Sequence, residues 1–241
     1  MLVMKFVLAT LAFSIVSLAQ VTFADRYKLA MSQDDVVCKP MVQFFDDHLK
    51  ISGKTLYAKN SEFSPVEWKP VENLGPDLGD LKGEIMQSQV DIDNDGQIDL
   101  VVKIKGRLRG VDTDQLAIFT GKRRAETQLQ EFTQEVLGKA NYLLDFSGER
   151  YELKKIPKAK EGTFEFYHSV AGVFELMPFR FQNTTYISMV NPYFGVGDED
   201  NKWRVITKYI GPSKLDDVCY LERVKGAPRK ADKKQSKDLG R

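Results

Sequence analysis

The chain has 241 residues, 42% of them apolar and 29% charged, with 35 Lys and Arg against 34 Asp and Glu for a net charge of +1. That length makes one domain or two small ones, and the composition excludes wholesale disorder. The near-neutral balance excludes a nucleic-acid-binding domain with a basic field over its whole surface.

The first element in chain order is a secretory signal peptide over residues 1–24. Lys5 precedes an apolar run from Phe6 to Leu18, and small residues follow at Ala19 and Ala24. Cleavage after either alanine satisfies the small-x-small rule, and Ala24 is preferred because the polar segment Asp25-Arg26-Tyr27-Lys28 begins there. The run is short for a bilayer span of about 20 residues. No later segment is long and apolar enough to cross, so the mature form is expected without a transmembrane span, periplasmic or secreted.

Ser32 to Lys50 reads as a helix. Val37, Met41, Phe44, Phe45, His48 and Leu49 fall on one side at helical spacing, and Pro40 must sit in the first turn or kink it. His48 on that stripe reads as a core or boundary residue. Residues 60–83 hold Pro65, Pro70, Pro76, Gly75, Gly79 and Gly83 and read as loop. Strand signals start at Glu84 and include Ile98–Lys105 and Leu116–Phe119. Thr127 to Phe146 reads as the longest helix, with Leu129, Phe132, Val136, Leu137, Ala140, Leu143 and Leu144 as a core-facing stripe. The last third returns to strands: a hairpin through Gln182-Asn183-Thr184, then Trp203–Ile210 and Val218–Val224. Together these predict one α+β domain over 25–224, a mainly antiparallel sheet with two helices.

The tail from Lys225 to Arg241 holds seven basic residues and two Asp, a net charge of +5. Because the mature chain is neutral, the body 25–224 carries −5. With almost no large apolar residue the tail is predicted disordered. Its functional reading is contact with anionic lipid or cell wall, and its plainer reading is a solubilising end. Cys38 and Cys219 are the two cysteines of an exported chain and are expected to pair.

One stretch carries chemistry. Asp91-Ile92-Asp93-Asn94-Asp95-Gly96-Gln97-Ile98-Asp99 sets carboxylates at relative positions 1, 3, 5 and 9 around a glycine at 6. A hard cation such as Ca²⁺ takes about six to eight oxygens, and a tight loop of alternate carboxylates can turn them inward. Asp91, Asp93, Asp95 and Asp99, with the Gln97 carbonyl, are the expected ligands of one structural Ca²⁺ in a loop over 91–99. An EF-hand loop ends in a bidentate Glu at position 12, where this chain has Val102, and it is flanked by helices rather than by a strand. Over residues 88–105 the segment resembles the loop of FG-GAP and VCBS-type repeats, in which DxDxDGxxD runs into a strand. That resemblance implies calcium binding by these residues. It does not imply a propeller, because the unit occurs once. The chain is also similar to small exported bacterial proteins of uncharacterised function in its single Asp-Asn-Asp-Gly loop and its final strand Cys219-Tyr220-Leu221-Glu222.

Signals for catalysis are sparse. There is no Gly-x-Ser-x-Gly elbow and no His-Glu-x-x-His. Ser52-Gly53-Lys54-Thr55 lacks the earlier glycine of a phosphate loop, with His48 in its place. His168 sits in a predicted strand. Tyr193 and Phe194, followed by Asp198, Glu199 and Asp200, form a glycine-bounded loop suited to gripping a partner or to folding back into the core. The expected function is a non-enzymatic exported protein that binds a protein partner in the cell envelope, for example as an inhibitor or immunity protein. The alternative is an exported hydrolase of cell-wall or glycan material acting through paired carboxylates.

Overall fold

The computed structural model describes residues 26–50, 62–78, 85–108, 111–128, 130–145, 150–152, 169–171, 175–190, 203–212 and 214–224. The segments expected to be a signal peptide (1–24) and a basic tail (225–241) lie outside them. In chain order the elements are β1 (Arg26–Ser32), α1 (Asp35–Lys50), β2 (Phe63–Pro65), β3 (Lys69–Pro70), β4 (Ile85–Val90), β5 (Asp99–Leu108) and β6 (Val111–Phe119). There follow α2 (Gly121–Gln128), α3 (Gln134–Gly138), β7 (Tyr142–Asp145), β8 (Arg150–Glu152), β9 (Ser169–Ala171), β10 (Glu175–Phe181), β11 (Thr184–Val190), β12 (Trp203–Gly211) and β13 (Lys214–Val224).

Successive side chains of a strand point to opposite faces, so the alternation along each strand shows what covers each face. On β5, Val101 faces one core while Leu100, Val102 and Ile104 face another. On β6, Leu116 and Ile118 join the first and Ala117 and Phe119 the second. The first core also receives Leu176, Ile187, Met189, Val205, Tyr209 and Tyr220 from β10 to β13. It is the seam between two antiparallel sheets, of order β1-β13-β12-β11-β10-β2 and β3-β4-β5-β6-β7. The six-stranded sheet turns its other face to α1, through Phe44 and Phe45 against Phe63, Phe179 and Phe181. The five-stranded sheet turns its other face to α3 and its neighbours, through Phe132, Val136 and Leu137. The result is a single α+β domain of four layers: helix, sheet, sheet, helix. Because this sheet is covered on both faces, six of the seven residues of β11 are buried, Thr185 and Ser188 among them.

Asp34 caps α1, its Oδ1 accepting from the Val36 N–H at 3.0 Å. Pro40 lies inside the helix rather than in its first turn. Its ring removes one helical hydrogen bond, and the carbonyl left over belongs to Val36, which is 71% exposed and open to water. Cys38 on α1 and Cys219 on β13 form a disulfide with Cα atoms 5.7 Å apart, stapling the helix to its sheet.

The helix expected over Thr127–Phe146 does not form. Helix α2 ends at Gln128, α3 spans five residues, and Tyr142–Asp145 is an edge strand. Thr133 explains the break: its side chain caps α3 by accepting from the Val136 N–H at 3.2 Å, so a new helix starts there. Phe132 just before it makes a β-bridge with Leu74. Phe132, Val136 and Leu137 are buried as the stripe predicted, but Leu143 is 43% exposed because β7 alternates, with Leu144 turned inward. Strand β1 was not foreseen. It pairs with the edge of β13, Tyr27 and Leu29 facing α1 and Met31, beyond a bulge, packing on the core between the sheets.

One ion pair reaches across the seam. Lys103 of β5 and Asp114 of β6 form an ion pair at 2.7 Å. Both then bind the backbone of Leu176 on the opposite sheet, Lys103 donating to its carbonyl at 3.2 Å and Asp114 accepting from its N–H at 3.0 Å. Deleting one partner of such a pair leaves an uncompensated charge. Asp114→Ala is therefore expected to lower stability by about 3 kcal/mol in urea unfolding, and more than Lys103→Met. Replacing Cys38 and Cys219 together by Ala should lower it by at most about 5 kcal/mol, the chain-entropy value for so long a loop.

Candidate metal centre

Strands β4 and β5 run antiparallel and their last pair is Val90 with Asp99. The eight residues between them make a loop wound on its own carboxylates. Asp91 accepts from the Asp95 N–H through Oδ1 and from the Gly96 N–H through Oδ2, each at 3.0 Å. Asp93 Oδ1 accepts from the same Asp95 N–H at 3.2 Å. Asn94 and Gly96 take left-handed conformations, φ 63° and 89°. Asn tolerates that region and glycine adopts it freely. A Cβ on Gly96 would meet nothing within 4 Å, so the backbone angle is what asks for glycine there.

This winding brings one carboxylate oxygen each from Asp91, Asp93 and Asp99 within 4.8 Å of one another, close enough to hold a metal ion. All donors are oxygens, the set a hard cation prefers. Asp95 and Gln97 are paired on the exposed rim instead: Asp95 Oδ1 accepts from the Gln97 N–H at 2.7 Å, and Gln97 Nε2 donates to Asp95 Oδ2 at 3.2 Å. Arg124 of α2 donates to the Ile98 carbonyl on the far side of the loop.

The innermost carboxylate is the most constrained. Asp99 is 2% exposed, and its Oδ2 accepts from the Ile92 N–H at 3.2 Å. Burial, then the charge of Asp93, pushes its pKa up to about 6. Burial likewise raises Asp93. In both groups desolvation disfavours the charged form.

Sequence reasoning missed the residue that docks the loop. Asn94 lies across the seam against β11, where its Oδ1 accepts from the Thr185 N–H at 2.6 Å and its Nδ2 donates to the Thr185 carbonyl at 3.2 Å. One side-chain amide thus imitates a strand partner. The only signal for it in the sequence was an Asn before the Asp-Gly turn, which marks a bend and not a contact.

The other expected site residues fall outside the described set. Tyr193, Phe194, Asp198, Glu199 and Asp200 do so entirely, as do His168 and Ser52–Thr55, and no side chain is described for His48. Among the described residues no helix is long and apolar enough to cross a membrane. The chain matches no known protein family, no curated protein and no solved structure.

The raised Asp99 fixes a sign. A carboxyl that holds its proton more tightly when folded contributes stability at low pH that is lost as pH rises from about 4 through about 6. In chelator at pH 7.5, Asp99→Asn should melt at the wild-type temperature or above it, since Asn can still accept from Ile92. With a divalent cation added the order should reverse. Melting curves in the two conditions test this, and a variant that is less stable in both would refute it.

Proposed function

We propose that this is an exported domain stabilised by one Ca²⁺, and that it works by binding a macromolecular partner in the periplasm or outside the cell. The observation that carries the calcium part is the convergence of Asp91, Asp93 and Asp99. Three carboxylates without His or Cys suit Ca²⁺ over zinc. A flexible loop that can add Asp95 and the Gln97 carbonyl suits it over Mg²⁺, which demands stricter octahedral geometry and keeps its waters. The cation's role is structural. It would neutralise three carboxylates at the point where the β4–β5 loop meets the opposite sheet through Asn94. Export is supported by the signal-like segment 1–24 and by the Cys38–Cys219 bridge.

Binding rather than turnover is supported by the sequence, which carries neither a Gly-x-Ser-x-Gly elbow nor a His-Glu-x-x-His motif. Two surfaces are suited to a partner. One is the loop with Tyr193, Phe194, Asp198, Glu199 and Asp200. The other is an open groove of about 380 Å³, with amides of Asn73, Gln87, Gln89 and Gln130 above a floor that includes Leu100 and Phe132. These amides, beside the single acid Glu72, fit a polar chain such as an extended peptide or a glycan.

The test is capture from a cell-envelope extract by the mature protein in calcium. Tyr193→Ala with Phe194→Ala, or Gln89→Ala with Gln130→Ala, should reduce capture at least tenfold with little change in melting temperature. Equal capture by both double variants would remove these surfaces. Release of soluble fragments from peptidoglycan or a glycan panel, stopped by a carboxylate substitution, would replace the binding reading by the hydrolase one.

A further inference from the structure

Tyr209 on β12 is 1% exposed, and its hydroxyl is buried without a hydrogen-bond partner. A hydroxyl in that position loses its water and gains nothing in return. Neighbouring tyrosines are satisfied: Tyr220 donates to Asp217 Oδ2 at 2.7 Å, and Tyr27 accepts from Arg204 at 3.1 Å. The surroundings of Tyr209 are those of the carboxylate loop. Its ring packs in the same core group as Val90 and Ile92, the apolar residues that flank Asp91. The register that pairs Ile187 with Thr207, continued two residues, sets Tyr209 opposite Thr185, whose backbone Asn94 grips. Tyr142 stacks on the ring at 5.7 Å and fixes its plane. Burial raises this phenol, and the charges that add to the rise most are those of Asp93 and Asp99.

Resting on the reading of the loop as a calcium site, we propose that the Tyr209 hydroxyl is the inner polar wall of that site and joins it through one cation-bound water. Three carboxylates giving one oxygen each leave positions open in a shell of about six to eight. Asp95 and Gln97 stand on the solvent side. On the inner side the loop's own neighbours are Val90 and Ile92, and Tyr209 supplies the polar atom. A water on the cation there donates one hydrogen to the phenol oxygen. The phenol proton is donated to a carboxylate oxygen that the cation does not use. Every group is then satisfied, including the hydroxyl that is otherwise orphaned.

Calorimetric titration of the mature protein with CaCl₂ tests this on the wild type and on Tyr209→Phe. The variant should bind calcium about 3- to 10-fold more weakly, the worth of one net hydrogen bond. In chelator it should melt no lower than wild type, because it deletes an unpartnered hydroxyl. A variant that binds calcium as tightly as wild type overturns the role of Tyr209 and leaves the calcium reading standing. A wild type that binds no calcium overturns both. Should Tyr209→Phe fail to fold, Tb³⁺ bound to the wild type reports instead. Excitation in the tyrosine band should sensitise Tb³⁺ emission that excess Ca²⁺ displaces, and bound Tb³⁺ without such emission overturns the proposal.

Discussion

Burial of both sheets on both faces is the constraint from which the rest of this structure follows. Each sheet has one face in the shared seam and the other under helical segments. A polar group in such a seam has no water to turn to, so it must find a protein partner or remain unsatisfied. Lys103 and Asp114 meet that condition by gripping Leu176, and Asn94 meets it by gripping Thr185. These contacts do more than satisfy themselves. Apolar packing tolerates sliding, whereas directional bonds to named backbone groups set the position of one sheet on the other.

The β4–β5 loop stands at the place where that constraint conflicts with charge. Its backbone N–H groups bind Asp91, Asp93 and Asp99 and so hold three carboxylates together. The Asp99 position in the interior makes its charged form costly. A hard cation held by these three carboxylates would resolve the conflict. Calcium would then act on the whole fold, because the loop it rigidifies is tied to β11 through Asn94. A partner surface elsewhere on the domain would gain a stable frame without the cation touching the partner.

The disulfide serves the outer layer in the same way. Helix α1 covers the six-stranded sheet, and the bridge from Cys38 reaches β13, the strand that also carries β1. Arg204 strengthens this corner. It stands 4.3 Å from the centre of the Phe45 ring and bonds to Tyr27, so a buried cation is held by aromatics from the helix and from β1. Strand β1 and helix α1 are thereby fastened to β13, with β1 at one edge of the sheet.

Much of this was legible in the residues alone, for reasons of local physics. The carboxylate spacing 91-93-95-99 around Gly96 identified the loop, the period of Met41, Phe44 and Phe45 identified α1, and Gln182-Asn183 identified the β10–β11 turn. Each of these is a short-range pattern that backbone geometry enforces. The segment 127–146 was misread because a stripe at helical spacing is equally satisfied by a short helix followed by a strand, and Thr133 chose the latter by capping a new helix. The grip of Lys103 and Asp114 on Leu176 and that of Asn94 on Thr185 join residues between 62 and 91 positions apart. No local rule links such residues; only the packing of one sheet on the other decides which of them meet.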